Sequence, residues 1–213
     1  MSNTATSVRH GHSEKRTSIG PRRSPQTEAA ILEAAEAILN ESGHAAFTIE
    51  AVARRAGAGK PTIYRWWGSK TALLLDVYRQ RKLEVPNPDT GSLEGDLVAI
   101  IRGVYRFWRD TPAGAVFRSV IVAAQSEPEA LGPLTEYARD RRENITGVVE
   151  RARVRGEVRD DADPEAFADL FVGYLWGRLL TDRIDDDPDE IARAAATMMG
   201  GIATPRMAEP RSR

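Results

Sequence analysis

The stretch Thr48–Lys70, TIEAVARRAGAGKPTIYRWWGSK, constrains the fold more than any other part of the chain. It opens with threonine, a residue type that caps helices, and apolar residues then recur at helical spacing. Gly57 and Gly59 predict a break, because a glycine inside a helix costs about 1 kcal/mol. Pro61 marks a new helix, since proline is tolerated in the first turn. The stretch therefore predicts two short helices joined by a tight turn.

The second of these helices has two different faces. At about 100° per residue, Ile63 and Trp67 lie on one face, which we expect to pack on the first helix. Pro61 and Arg65 point away from it, and Tyr64 lies on a flank. A short helix with an apolar anchor and an exposed polar face fits the major groove of DNA. Arginine can donate two hydrogen bonds to guanine, so Arg65 is the candidate base-reading residue.

The motif extends into a family resemblance. The run Phe47–Leu75, with residues 31–43 before it, resembles the DNA-binding domain of the tetracycline-repressor (TetR) family of bacterial regulators. The shared signature is T-I-E-x-V-A-R-R-A-G-x-x-K-x-T-I-Y-R-x-W-x-S-K-x-x-L-L. The resemblance implies a homodimeric regulator that binds an operator in double-stranded DNA and a small-molecule effector. It also implies that the chain is not an enzyme, in keeping with the lack of cysteine and of histidine beyond His44.

The predicted DNA contacts lie in these two helices, at the start of the next helix and in an N-terminal arm. Tyrosine, threonine and lysine suit phosphate oxygens, whereas arginine can also read bases. The predicted set is Arg22, Arg23, Thr48, Lys60, Pro61, Thr62, Tyr64, Arg65, Trp66 and Lys70. Residues 1–24 are too polar to fold alone and are predicted to be a disordered basic arm. A solvated tail with no role on DNA is equally compatible with that composition.

The charge is divided unevenly along the chain. Residues 1–84 hold 13 Lys and Arg against 8 Asp and Glu, and the remainder holds 17 against 23. A basic first part joined to an acidic remainder indicates that only the first part meets nucleic acid, although ordinary solvated surface also gives such a pattern. The chain has no apolar run long enough to span a membrane and no apolar signal core, so we expect no membrane partner and a cytoplasmic location.

Helical periodicity continues to the end of the chain and predicts an all-α fold. Pro86 and Pro88 mark the boundary between an N-terminal three-helix helix-turn-helix domain and a C-terminal helical domain for ligand binding and dimerisation. The predicted organisation is a disordered arm over 1–24, a DNA-binding domain over 25–84, an effector-binding and dimerisation domain over 89–205, and a disordered tail over 206–213. Within the second domain, residues 127–133 are predicted to be a connection because they contain two prolines.

The last two predicted helices carry apolar stripes with small residues among them. Glycine and alanine let helices approach closely, so this pair, doubled by a two-fold axis, predicts a four-helix dimer interface. The predicted interface residues are Phe167, Gly173, Tyr174, Gly177, Ile191, Ala195 and Met198. The alternative is that the same residues pack within one chain.

In the TetR family the middle helices enclose an effector pocket, and here they are rich in aromatic residues. Ligand pockets are commonly aromatic with a few polar groups, which predicts a small apolar or aromatic effector. The predicted ligand-binding residues are Tyr105, Trp108, Phe117, Arg118, Tyr137, Phe171 and Trp176. The alternative for each aromatic is a place in the core, and a ligand-independent or architectural DNA-binding protein is the alternative function. No cofactor or metal is predicted.

Overall fold

A computed structural model describes residues 24–83 and 88–203. Within these ranges the chain forms nine α-helices and a short 3-10 helix, His44–Ala46. The α-helices are α1 (Pro25–Ser42), α2 (Ile49–Ala56), α3 (Lys60–Trp67), α4 (Lys70–Leu83), α5 (Leu93–Asp110), α6 (Ala113–Ala124), α7 (Pro128–Val154), α8 (Pro164–Leu180) and α9 (Pro188–Met199). The extended structure in the described residues is one isolated bridge between Val158 and Ala203. The predicted all-helical fold is therefore confirmed.

Side-chain caps begin five of the described helices. The side chains of Thr48, Ser69, Ser92, Asp163 and Asp187 each accept a hydrogen bond from a backbone N–H two or three residues later. These caps satisfy first-turn donors that have no partner inside the helix. Gly57 ends α2 in the left-handed conformation with φ of 62°, which glycine adopts without steric cost. The turn between α2 and α3 is thus set by local sequence.

The predicted connection over residues 127–133 is wrong, because α7 already begins at Pro128 and includes Pro133. Pro128 stands in the first turn, where a missing N–H removes no intrahelical hydrogen bond. Pro133 removes one such bond, but it lies near the start of a 27-residue helix. Ala130 and Leu134, on either side of Pro133, are both buried in the core.

The first four helices share one core. α1 packs on α2 and α4, and α3 lies against both α2 and α4. Ile31, Phe47, Ile63 and Leu73 come from different elements of this unit, and each is fully buried. The opposite side of α4 packs on α6 and α7, so α4 belongs to both halves of the fold. The domain bounds given above remain predictions, and the residues between Leu83 and Pro88 lie outside the described ranges.

The second half of the chain is a helical bundle. α5 packs against α6, α7 and α9, and α7 forms its most extensive contact with α8. Buried aromatic rings join α4 to this bundle: Tyr78 stacks on Phe117 with ring centroids 4.5 Å apart and meets Tyr137 edge-on at 5.5 Å. None of the described helices has the length and apolar character needed to cross a bilayer. The predicted arm and tail lie outside the described residues, except for Ser24.

Candidate DNA-binding surface and internal cavity

The helix α3 is anchored on one side and exposed on the other. Ile63 is fully buried and Trp67 is 9% exposed, whereas Tyr64 is 49% exposed and Pro61 and Arg65 are exposed. Helical spacing predicted this division. The Trp67 indole N–H also donates to Asp76 of α4 at 2.8 Å, which ties α3 to the following helix. The exposed face is therefore held in a fixed orientation by its own buried side.

Arg65 and Lys60 differ in their electrostatic surroundings. The Lys60 ammonium lies 2.6 Å from Glu50 of α2, and this hydrogen bond holds the pKa of the Glu50 carboxyl below its ordinary value. No carboxylate in the described residues forms an ion pair with Arg65. The Arg65 guanidinium can therefore donate to a DNA acceptor directly, whereas Lys60 has to break or share its ion pair with Glu50 first.

The remaining predicted DNA-contacting residues lie in different environments. The Thr48 hydroxyl caps α2 by accepting from the Ala51 N–H at 3.0 Å, so its role in the fold is clear. Thr62 and Trp66 are half-buried flanking residues of α3. Lys70, at the start of α4, lies 5.8 Å from the ring centroid of Phe47 and is half-buried. Arg22 and Arg23 lie outside the described residues.

A cavity lies between α4, α5, α7 and α8. Its volume is about 50 Å³, and it opens toward solvent. That volume is below the range of small-molecule sites, about 300–1,000 Å³, so a ligand with more than a few heavy atoms has to displace lining side chains. The lining residues are Tyr78, Lys82, Ile100, Val104, Trp108, Tyr137, Arg141, Asn144, Ile145, Val172, Leu175 and Trp176. Most of the wall is apolar or aromatic, and a few polar groups interrupt it.

Of the predicted ligand-binding residues, Trp108, Tyr137 and Trp176 line this cavity. The structure places the other four, Tyr105, Phe117, Arg118 and Phe171, outside its wall. The reason is that an aromatic residue on a buried helix can face either the cavity or the neighbouring core.

Each of these four has another environment. Phe117 and Phe171 are fully buried core residues. The Tyr105 hydroxyl lies 3.4 Å from the Tyr174 hydroxyl, and Arg118 lies 3.3 Å from Asp182 at the end of α8. These contacts account for the four side chains without a ligand.

The polar lining of the cavity includes residues that the sequence reasoning missed. Lys82 and Tyr78 lie one turn apart on α4, a spacing that could have identified them as one face. Burial, together with the nearby Arg141 charge, lowers the pKa of Lys82 to about 8. Burial also raises the pKa of the Tyr137 hydroxyl. At neutral pH the cavity therefore presents two cations, Lys82 and Arg141, and neutral tyrosines.

The outer face of α8 carries an exposed apolar stripe. Leu170 and Leu180 are 71% and 47% exposed, and Gly173 and Gly177 lie between them at helical spacing. A Cβ atom added at either glycine would meet nothing within 4 Å, so another helix could approach there. We call Leu170, Gly173, Gly177 and Leu180 the α8 stripe.

Three of the predicted interface residues cannot take part in such an approach. Phe167, Ile191 and Ala195 are 4%, 1% and 0% exposed, because they pack inside the protomer. Tyr174 and Met198 are half-buried at the margin. That α8 and α9 form a dimer interface stays a prediction, and these three side chains face the interior of the protomer.

A capped helix, a glycine turn and a second helix with an outward polar face define a helix-turn-helix DNA-binding regulator, here joined to a helical bundle with a small, mostly apolar cavity. No group of acidic or histidine side chains in the described residues is placed to hold a metal ion.

Comparison with known proteins identifies the family. The model described as "Bacterial regulatory proteins, tetR family" matches residues 31–77, and "Tetracyclin repressor-like, C-terminal domain" matches residues 87–198. The HTH-type transcriptional regulator YdeS of Bacillus subtilis is 35% identical over 171 residues, 78% of this chain and 86% of that protein. AqdR of Rhodococcus erythropolis, also an HTH-type transcriptional regulator, is 30% identical over 190 residues, 88% of this chain and 89% of that one.

Solved structures agree with the sequence matches. The TetR family transcription regulator SCO0332 superposes with a TM-score of 0.72 at 30% identity, covering 83% of this chain and 98% of that chain. The chain therefore belongs to the tetR family and is a DNA-binding transcriptional regulator.

Proposed function

We propose that this protein is a homodimeric repressor that releases a palindromic operator when a small effector enters the cavity. It acts in the cytoplasm, in contact with the DNA that carries its operator. The observation that carries the proposal is the orientation of α3, which exposes Arg65 while Ile63 and Trp67 are buried. Such a helix can enter the major groove without disturbing its own packing.

The α8 stripe supports a dimer. Exposed leucines on both sides of two glycines give a second copy apolar area and room for close helix contact. Two-fold symmetry would place the α3 helices of the two subunits in successive major grooves. The operator is then expected to consist of two inverted half-sites about one helical turn, ~34 Å, apart.

The position of α4 supports a response to ligand. Its first turn lies directly after α3, and Tyr78 and Lys82 near its other end line the cavity. Thr71 at the start of α4 also donates to Glu127, beside the first turn of α7, at 2.6 Å. A ligand that changes the packing of α4 on α7 therefore changes the position of α3. Operator release requires the ligand to bind better in the arrangement that does not fit DNA.

Selection of bound sequences from a random DNA pool tests the DNA-binding part. An inverted repeat is expected, and Arg65→Ala should weaken binding to it by ~1–3 kcal/mol and relax base preference at one position in each half-site. Arg193→Ala is the matched control, since Arg193 is an exposed arginine of α9, far along the chain from α3. Equal operator affinity of the Arg65 variant and the parent would refute the base-reading role.

A ligand-independent DNA-binding protein is the second candidate function. The two cations in the cavity wall, Lys82 and Arg141, favour the ligand-responsive candidate, because a bundle that only holds two DNA-binding heads together gains nothing from partly buried charges. The two candidates differ in one measurement, the operator affinity across a panel of small molecules that bind the protein. Unchanged affinity in the presence of every bound molecule would favour the second candidate.

A further inference from the structure

Two cations from different helices line the cavity. Lys82 comes from α4 and Arg141 from α7, and both belong to the lining. The Arg141 charge also contributes to the lowered pKa of Lys82. Like charges held together in a partly buried site destabilise each other, so the free protein stores an unfavourable interaction there.

Neither cation is neutralised by a carboxylate in the described part of the chain. Arg141 lies over the Tyr137 ring, 5.2 Å from its centroid, and its buried Nε has no hydrogen-bond partner. Lys82 lies 5.8 Å from the Phe107 ring centroid. Rings attract cations, but a ring gives the buried Arg141 Nε–H no oxygen acceptor.

The rest of the wall excludes a highly charged ligand. Trp108, Trp176 and Ile100 form the apolar part, with Val172 and Leu175 of α8 behind them. Asn144 is the neutral amide of the lining. A ligand that fits this wall carries one anionic group at the Lys82 end and an uncharged ring or branched chain at the other.

We propose that the effector is a small aromatic monocarboxylate, bound by Lys82 and Arg141 through its carboxylate and by the tryptophans through its ring. This inference rests on the proposed function, in which the cavity is the effector site. The carboxylate accepts hydrogen bonds from both cations and removes their mutual repulsion. It thereby draws α4 and α7 together at one end of α4, which gives the ligand different affinities for different placements of that helix.

The test measures binding to the full-length protein by isothermal titration calorimetry at pH 7 with three ring compounds of similar size. Phenylacetate is the anion, phenylacetamide its neutral counterpart and phenethylamine the cation. We expect phenylacetate to bind at least about 10-fold more tightly than phenylacetamide, because a hydrogen bond to a charged group is stronger than one to a neutral group. Phenethylamine is expected not to bind.

Variants locate the site. Lys82→Met and Arg141→Met should each weaken phenylacetate binding about 10- to 100-fold and leave phenylacetamide binding nearly unchanged. Lys82→Arg should retain most of the affinity, since it keeps the charge. Arg139→Met is the matched control, because Arg139 is a 61%-exposed arginine of the same helix outside the cavity wall, and it should bind phenylacetate like the parent. Circular dichroism establishes that each variant is folded.

Three results would overturn the inference: equal affinity for the acid and the amide, unchanged affinity of both methionine variants, or no detectable binding of phenylacetate. Operator affinity measured in the same samples tests the proposed function separately. A neutral compound that releases DNA would contradict the carboxylate inference and support the regulator. A carboxylate that binds with the expected variant effects but leaves DNA bound would support the inference and contradict ligand-responsive repression.

Discussion

Replacing Tyr78 with phenylalanine is expected to destabilise the protein, although the ring stays in place. The Tyr78 side chain is 1% exposed, and its hydroxyl accepts a hydrogen bond from the Trp108 indole N–H at 2.9 Å. The Tyr137 ring packs edge-on against the Tyr78 ring, with the centroids 5.5 Å apart. Trp108 and Tyr137 are 4% and 2% exposed, so water cannot easily replace the lost partner. The substitution therefore leaves a buried indole donor unsatisfied.

The magnitude follows from the cost of one unsatisfied buried group. Such a group costs about 1–3 kcal/mol, and the unchanged ring keeps its stacking on Phe117 at 4.5 Å. Because the chain has 213 residues, each kcal/mol shifts the melting temperature by about 2–4 °C. Tyr78→Phe should thus lower the free energy of unfolding by about 1–3 kcal/mol and the melting temperature by about 2–12 °C.

Urea denaturation followed by far-UV circular dichroism measures the effect at constant protein concentration. Tyr64→Phe is the matched control, because Tyr64 is 49% exposed. The loss of its hydroxyl should change the free energy of unfolding by less than about 0.5 kcal/mol. The double variant Tyr78→Phe/Trp108→Phe removes donor and acceptor together, so its loss should be smaller than the sum of the single losses. If Tyr78→Phe unfolds at the urea concentration of the parent, the hydrogen bond contributes nothing and the reasoning is wrong.

Three further predictions concern the first turn of α3, the α8 stripe and the cavity lysine. Gly59→Ser should stabilise the protein by about 0.3–1 kcal/mol in thermal unfolding, because a serine side chain can cap α3. Gly59 already has the extended backbone of an N-cap, and a Cβ atom there would lie 3.6 Å from Pro61, which is ordinary contact. A loss of stability would contradict this. Leu170→Glu should shift the protein from dimer to monomer in sedimentation, whereas Val154→Glu, at a position 89% exposed, should not; equal behaviour would rule out the α8 stripe. Lys82→Met should stabilise the free protein by up to about 3 kcal/mol at pH 7, since burial and Arg141 lower the lysine pKa from 10.5 to about 8 in the fold beside the neutral Tyr78 and Tyr137. The destabilisation by the charged Lys82 is fully present below pH 8 and disappears between about pH 8 and 10.5, where the folded state has released the proton and the unfolded state has not. If Lys82→Met stabilises the protein equally at every pH, this origin is excluded.

Local signals predicted the starts of many helices because they depend on nearby residues alone. A capping side chain such as Ser92 or Asp163 acts on N–H groups within its own turn, and Gly57 needs no tertiary partner to adopt its conformation. The outward orientation of α3 also followed from helical spacing. Pro133 misled the prediction, because its cost is local but the packing that offsets it comes from the rest of α7 and its neighbours.

The cavity and the proposed dimer face depend on which of two apolar sides a helix turns inward. α8 has large apolar residues on every side, so its periodicity could not distinguish Phe167, which is buried, from Leu170, which is 71% exposed. Lys82 and Arg141 resembled ordinary surface cations in the sequence. Only the packing of α4 against α7 brings them together in one wall.

Because α4 carries buried residues of both halves, a change of effector preference is not independent of DNA binding. Tyr78 and Lys82 lie on α4, the same helix that holds α3 through the Trp67–Asp76 hydrogen bond, so substitutions there can also change DNA binding. Val172 lines the cavity from α8, which packs on α6 and α7. Biosensor engineering that retunes inducer recognition should therefore begin at Val172, where a substitution has the least direct effect on operator affinity.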